Sequence, residues 1–219
     1  MLVVMTRQPL SPTPRSTVGR LRERATTDRS ALDNVLDAGL ICHLGFVCDG
    51  APVVLPTGYG RDGDTLYLHG STGARSLRSG AEGLPVCVTV TLVDGIVYAR
   101  SAFHHSMNYR SAVIHGTARP VTEKTAKLHG LAVLTEALAP GSWEHSRQPS
   151  TKELAATTVL ALDLMEASVK VRDAGPSDDP EDLAAHGVWA GVLPLRQSWG
   201  VPEPAPYVAI AVPPHVAER

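Results

Sequence analysis

The sequence predicts a mainly β chain whose antiparallel strands close into a barrel, with a few flanking helices. Apolar runs rich in Val, Leu, Ile and Thr recur at short intervals, and Asp-Gly pairs stand at 49–50, 62–63 and 94–95, a strong short-range hairpin signal. Apolar residues fall at helical spacing in only a few stretches, which do not alternate with the strands as they would in a parallel α/β sheet. No G-x-G-x-x-G is present, so any cofactor must be held by other means than a Rossmann turn.

Residues 1–27 read as a flexible basic arm, with Arg7, Arg15, Arg20, Arg22 and Arg24 beside Pro9, Pro12 and Pro14. From the capping residue Asp28, the spacing of Leu32, Val35 and Leu36 predicts a short helix that Gly39 ends. Strands are expected at 40–47, 52–59 and 65–69, joined by turns at Cys48-Asp49-Gly50 and 61–64. Residues 85–92 and 96–101 should form a hairpin about Val93-Asp94-Gly95, and 109–121 a long strand. Residues 123–139 form the clearest helix, with Leu128, Leu131, Ala132 and Leu138 as its apolar stripe and Pro140-Gly141 as its stop. The last strong strand is expected at 159–172, and 175–180 is an acidic, Pro-containing linker. The barrel domain thus spans 28–175, followed by an extension at 176–219 whose tail is expected to be disordered.

A chain this long buries roughly 70% of its unfolded surface and needs no disulfide staple. Cys42, Cys48 and Cys87 lie in apolar runs without a C-x-x-C pair, and read as small buried hydrophobes. A net charge of -2 argues against a nucleic-acid-coating surface. The apolar start Met1–Met5 is too short for a signal-peptide core, and no run approaches the ~20 apolar residues of a membrane span. A cytoplasmic protein is expected, with neither membrane nor nucleic acid as partner.

The strongest local chemistry is the run from Gly70 to Arg78. A helix beginning at Ser71 would offer backbone N–H groups, the Ser71 and Thr72 hydroxyls and Arg75 to one phosphate; an ordinary helix cap flanked by exposed arginines fits the same residues. His69, at the preceding strand end, suits stacking or a hydrogen bond to a ring. Phe103-His104-His105-Ser106-Met107-Asn108-Tyr109-Arg110-Ser111 mixes the groups that line polar ligand pockets. No metal site is expected there, because adjacent residues of an extended chain point to opposite faces and no carboxylate is near in sequence. Neither a G-x-S-x-G elbow nor a G-x-x-x-x-G-K-[ST] loop occurs, which leaves a phosphate-bearing organic cofactor.

Six segments then stand in a telling order. They are Cys42-His43-Leu44-Gly45-Phe46-Val47, Val54-Leu55-Pro56-Thr57, Leu66-Tyr67-Leu68-His69-Gly70-Ser71, Asn108-Tyr109-Arg110-Ser111 with Gly116, Lys170-Val171-Arg172, and Trp189-Ala190-Gly191-Val192 with Pro194. As an ordered set, from about Asp28 to Leu195, they resemble the flavin-nucleotide-binding proteins related to pyridoxamine 5'-phosphate oxidase, near the nitroimidazole-resistance branch. The resemblance implies a six-stranded Greek-key split β-barrel. It further implies a homodimer with FMN in clefts between the subunits and FMN-dependent oxidoreductase activity on a small organic substrate. A flavin-storing protein, or a heme- or deazaflavin-binding member of the same fold, are the alternatives.

By position, the resemblance implies that Val54, Leu55, Pro56 and Thr57 lie along the flavin ring and that Ser71 and Arg75 grip the phosphate. It places Asn108, Tyr109, Arg110 and Ser111 on the strand that reaches the cofactor, Lys170, Arg172 and Trp189 near it, and His69 beside the flavin as the substrate-facing group. The compact Ser-Arg-Lys phosphate cluster of the true oxidases is reduced here to Arg75 and Arg78. Their C-terminal Arg-Leu-His-Asp-Arg-like motif has no counterpart after Trp189, so activity on pyridoxine phosphates is not expected.

Overall fold

The computed structural model describes residues 8–72, 83–184 and 187–219. In chain order its first elements are β1 (Ala25–Thr26), α1 (Arg29–Ala38), β2 (Ile41–Cys48), β3 (Ala51–Asp62), β4 (Thr65–Ser71), β5 (Leu84–Tyr98) and β6 (Ser106–Pro120). There follow α2 (Lys124–Leu138), α3 (Ser142–His145), α4 (Thr151–Ala156), β7 (Thr157–Asp163), β8 (Ala167–Arg172), α5 (Pro180–Leu183), β9 (Gly191–Pro194) and α6 (Pro214–Ala217). The pairs β1–β8, β2–β3, β3–β4, β4–β7, β5–β9, β6–β7 and β6–β8 are all antiparallel, and the fold class is that of a split β-barrel with flanking helices. The chain divides into two compact units, one of Met1–Gly39, Thr89–Ile114 and Glu166–Gln197, the other of Leu40–Val88, His115–Met165 and Ser198–Arg219.

In the first unit, β6 pairs with β8 from Tyr109↔Arg172 to Ile114↔Ala167, β1 adds to β8 at Ala25↔Lys170, and β9 pairs with β5 from Gly95↔Pro194 to Tyr98↔Gly191. Its core holds Leu10, Leu32, Val35, Leu36, Val90, Val97, Ile114 and Val169, all at most 2% exposed; each such aliphatic side chain contributes about 1.5–3 kcal/mol by burial. Helix α1 begins as its sequence predicts: the Asp28 carboxylate accepts the Ser30 N–H at 2.9 Å. Residues 8–27, expected as a flexible arm, are tied down within this unit. Leu10 is 2% exposed, its N–H donates to the Thr27 carbonyl at 3.0 Å, and Arg15 grips Glu166 through Nε at 3.0 Å and Nη2 at 2.6 Å.

In the second unit, β2 and β3 form an eight-residue ladder from Ile41↔Gly58 to Cys48↔Ala51. Asp49 and Gly50, with φ of 51° and 78°, make the turn, and positive φ at both central residues is what matches the right-handed strand twist. β3 continues against β4, β4 against β7, and the end of β6 against β7. Helix α2 covers this sheet at glycine contacts. A Cβ on Gly60 would lie 2.7 Å from the Val133 carbonyl oxygen, and one on Gly130 would lie 2.9 Å from both Tyr67 and Val159.

Three elements differ from expectation. Residues 84–98 are one strand rather than a hairpin about Asp94-Gly95, because Gly95 is in register with Pro194 and a Cβ there would lie 2.9 Å from the Leu193 carbonyl oxygen. The run 159–172 is two strands, β7 and β8, with Leu164–Glu166 between them. Helix α2 buries Gly130 and Leu134, while Leu138 of the expected stripe is 60% exposed: the close approach runs through a glycine, which a count of apolar residues overlooks.

Candidate functional site

The first half of β3 is exposed, and its side chains are open to solvent at several positions. Among the described residues its register with β4 begins at Tyr59, so along residues 52–58 its ladder bonds run to β2 alone. Val54 is 63% and Leu55 37% exposed, and Pro56 is exposed as well, while Thr57 is half-buried. Val54 and Pro56 share one face and form an apolar ledge there, with Leu55 on the opposite face, beside backbone groups that no second described strand pairs; a flat heteroaromatic ring with polar edges suits such a surface. His69 and Ser71, in the same unit, lie on the same face of β4 as Tyr67, and both are exposed. Among the described residues the His69 ring makes no hydrogen bond.

The turn that follows is only partly in view. Ser71 closes β4 instead of opening a helix, and is in register with Thr157. The Thr72 N–H donates to the Ala156 carbonyl at 3.0 Å, and the Thr72 hydroxyl donates to the same oxygen at 3.2 Å. These two donors are thus engaged by the protein. Arg75 and Arg78 lie outside the described residues.

The remaining expected residues fall in the first unit, where most are engaged by neighbours. Arg110 donates through Nε and Nη2 to the two oxygens of Asp94, at 2.9 and 2.7 Å, and that paired contact raises its already high pKa. Arg172 is 7% exposed and donates to the Asn108 side-chain oxygen and to the carbonyls of Ala174, at 2.8 Å, and Gly175, at 2.9 Å. Asn108 and Arg172 therefore hold the exit of β8 against β6. Lys170 donates to the Arg20 carbonyl at 3.0 Å. Tyr109 and Ser111 are half-buried on β6. Trp189, 66% exposed, rests its ring 5.8 Å from that of Tyr98.

Sequence order concealed one cluster. The acidic stretch at 175–180, read as a linker, returns its carboxylates to the entry of β6. Arg100 donates to Asp178 through both its backbone N–H, at 2.8 Å, and its guanidinium. The His104 Nε2 stands 3.0 Å from Asp179, and this hydrogen bond raises the imidazole pKa. The ligand-capable atoms of His104, Asp179 and Asp182 lie within 4.8 Å of one another, which corrects the expectation that no carboxylate stands near the histidine pair. That signal was beyond sequence reasoning, since the two segments are 75 residues apart.

Among the described residues each unit carries a cleft. One, of about 620 Å³ in the first unit, is lined in part by Asp94, Arg110, Leu195 and Arg196. Another, of about 340 Å³ in the second unit, lies beside Trp143 and the Arg147–Glu153 ion pair.

The sequence pattern of the pyridoxamine 5'-phosphate oxidase family matches residues 28–171, about two thirds of the chain. The chain belongs to that family. Its structure is similar to that of the flavocytochrome Anf3 from Azotobacter vinelandii, with a TM-score of 0.88 and 37% identity over 96% of this chain and 98% of that one. It is also similar to the FAD and heme binding protein from Mycobacterium smegmatis, with a TM-score of 0.84 and 43% identity over 89% and 96% of the respective chains. A 5-nitroimidazole antibiotic resistance protein homologue from Bacteroides thetaiotaomicron shares the fold at 22% identity and a TM-score of 0.58, over 67% of this chain and 86% of that one. No curated protein matches the chain. The family stretch contains the β3 ledge, His69 and Asn108–Ser111, and stops before Trp189.

Proposed function

We propose that the chain binds a flavin and a heme and acts as an electron-transferring oxidoreductase. The observation that carries this reading is the near full-length similarity to two proteins, one a flavocytochrome and the other an FAD and heme binding protein. The residues of the chain fit both groups. The ledge of Val54 and Pro56, beside a stretch of β3 backbone that among the described residues pairs with β2 alone, offers an isoalloxazine ring an apolar face and hydrogen-bonding groups at its rim. For heme, an axial imidazole needs one ring nitrogen open toward the iron, while the other can stay hydrogen-bonded within the protein. His43 and His69 are exposed and their rings make no hydrogen bond among the described residues, while His105 and His145 are held through Nδ1, the arrangement that orients an imidazole for ligation through Nε2. When bound, the flavin supplies two-electron and one-electron chemistry and the heme one-electron chemistry. The protein's part is to seat them, with His69 as the proposed contact residue, and to control access of water.

FAD is favoured over the FMN expected from sequence, since FAD is the flavin named for the mycobacterial relative; chromatography of the flavin released by acid separates the two. A homodimer in the cytoplasm completes the reading. Its support is the exposed apolar face of the β2–β3 hairpin, where Ile41, Val47 and Val54 are 56%, 65% and 63% exposed. Among the described residues no helix is long and apolar enough to cross a membrane. Hemin titration tests the heme half: wild type should develop a Soret band at one equivalent, and His69→Ala should lose or shift it. An unchanged band in His69→Ala removes His69 from the reading; no band in wild type removes heme.

A further inference from the structure

The first unit carries a cleft whose chemistry belongs to neither cofactor contact described above. We propose that the cleft lined by Leu92, Val93, Asp94, Arg110, Leu195 and Arg196 binds an amphipathic organic anion, a small molecule with an apolar body and one carboxylate or phosphate. Its volume of about 620 Å³ suits a small organic molecule rather than a few waters. One side is apolar, from Leu92, Val93 and Leu195. The other is cationic on balance: two guanidiniums face one carboxylate.

The Asp94–Arg110 pair sets the specificity. Asp94 takes the Nε and one Nη2 proton of Arg110 in a two-point contact, which fixes the guanidinium plane and leaves Nη1 with no hydrogen-bond partner among the described residues. Both members are more than a third exposed on the cleft side of the strands, at 36% and 38%, so the pair presents a polar surface instead of sealing itself off. Arg196 is exposed and forms no hydrogen bond or ion pair among the described residues. It lies two residues past β9, and its position is set one residue earlier, where the Leu195 N–H donates to the Asp94 carbonyl at 2.9 Å. The same residue, Asp94, thus anchors the Arg196 segment through its backbone and Arg110 through its side chain. An arriving anion meets a free fork on Arg196 and the spare Nη1 of Arg110, and its apolar body covers Leu92, Val93 and Leu195. A neutral analogue lacks the first interaction, and a second carboxylate is opposed by Asp94.

Calorimetric titration of the purified, cofactor-containing protein tests the site with benzoate, phenyl phosphate and benzyl alcohol as probes. The two acids should bind, and whichever binds tighter identifies the head group as carboxylate or phosphate; the alcohol should bind at least about tenfold more weakly, the scale of one charged hydrogen bond. Arg196→Ala should weaken acid binding by about tenfold or more, and Arg196→Lys should recover it in part, because charge returns without the fork. Asp94→Asn should tighten it by removing the competing carboxylate. The proposal is overturned by equal binding of acids and alcohol, by an Arg196→Ala protein that binds the acids as wild type does, or by the absence of binding. Flavin and heme content, measured on the same Arg196→Ala sample, should match wild type. A variant that loses flavin makes Arg196 a cofactor residue and overturns the assignment, independently of whether the flavin and heme reading stands.

Discussion

At the scale of single residues, the chain uses its charged groups mainly to hold segments that are distant in sequence. Arg172 with Asn108, Arg15 with Glu166 and Arg100 with Asp178 each join stretches more than 60 residues apart. The family resemblance marked Asn108, Arg110 and Arg172 as cofactor residues, and the structure shows what else such groups do when a carboxylate or carbonyl is closer. His104 gives a titratable reporter of this role. Its pKa is raised by the hydrogen bond to Asp179, then by the charges of Asp179, Asp182 and Asp178. The contribution to stability is therefore complete below the unfolded value of 6.5 and is lost as pH rises through the higher folded value. Melting temperatures of wild type and His104→Ala should differ below that pH and converge at alkaline pH; a difference that grows with pH would contradict the assignment.

Among the elements, period-two patterning with Asp-Gly turns was sufficient to read β2, β3 and β4, and helical spacing behind Asp28 was sufficient for α1. What the pattern missed was set by partners. Asp94-Gly95 reads locally as a turn, yet β9 pairs along that stretch and keeps β5 extended. Helix α2 was legible as a helix, and its buried face was not, because the contact is backbone against backbone at Gly60 and side chain against Gly130. Gly60→Ala tests this. With Val133 carbonyl oxygen 2.7 Å from the new Cβ, helix and strand must separate, at a cost of about 1–3 kcal/mol for overpacking. At roughly 2–4 °C per kcal/mol for a chain of this size, the midpoint of thermal unfolding should fall by several degrees. An unchanged midpoint would show that α2 does not approach β3 so closely.

On the scale of the whole molecule, the family was legible from the ordered set of short segments, none of which is specific alone, and the pattern match over residues 28–171 agrees with it. The cofactor was less legible. The phosphate turn expected at Ser71 begins as the last residue of a strand, and the ledge of Val54 and Pro56 is recognisable only once the described register of β3 with β4 is seen to start at Tyr59. The proposed homodimer follows from the same exposed face. Light scattering should give twice the mass of 23.2 kDa, and a monomer would remove the partner subunit from the site.

The central claim, that one chain holds both a flavin and a heme, is tested most directly by the absorption spectrum of the purified protein before and after acid release of its flavin. The account predicts a Soret band from protein-bound heme together with flavin recovered in solution, both in proportion to the chain. A protein that shows neither chromophore, and takes up neither hemin nor flavin when they are added, would contradict it.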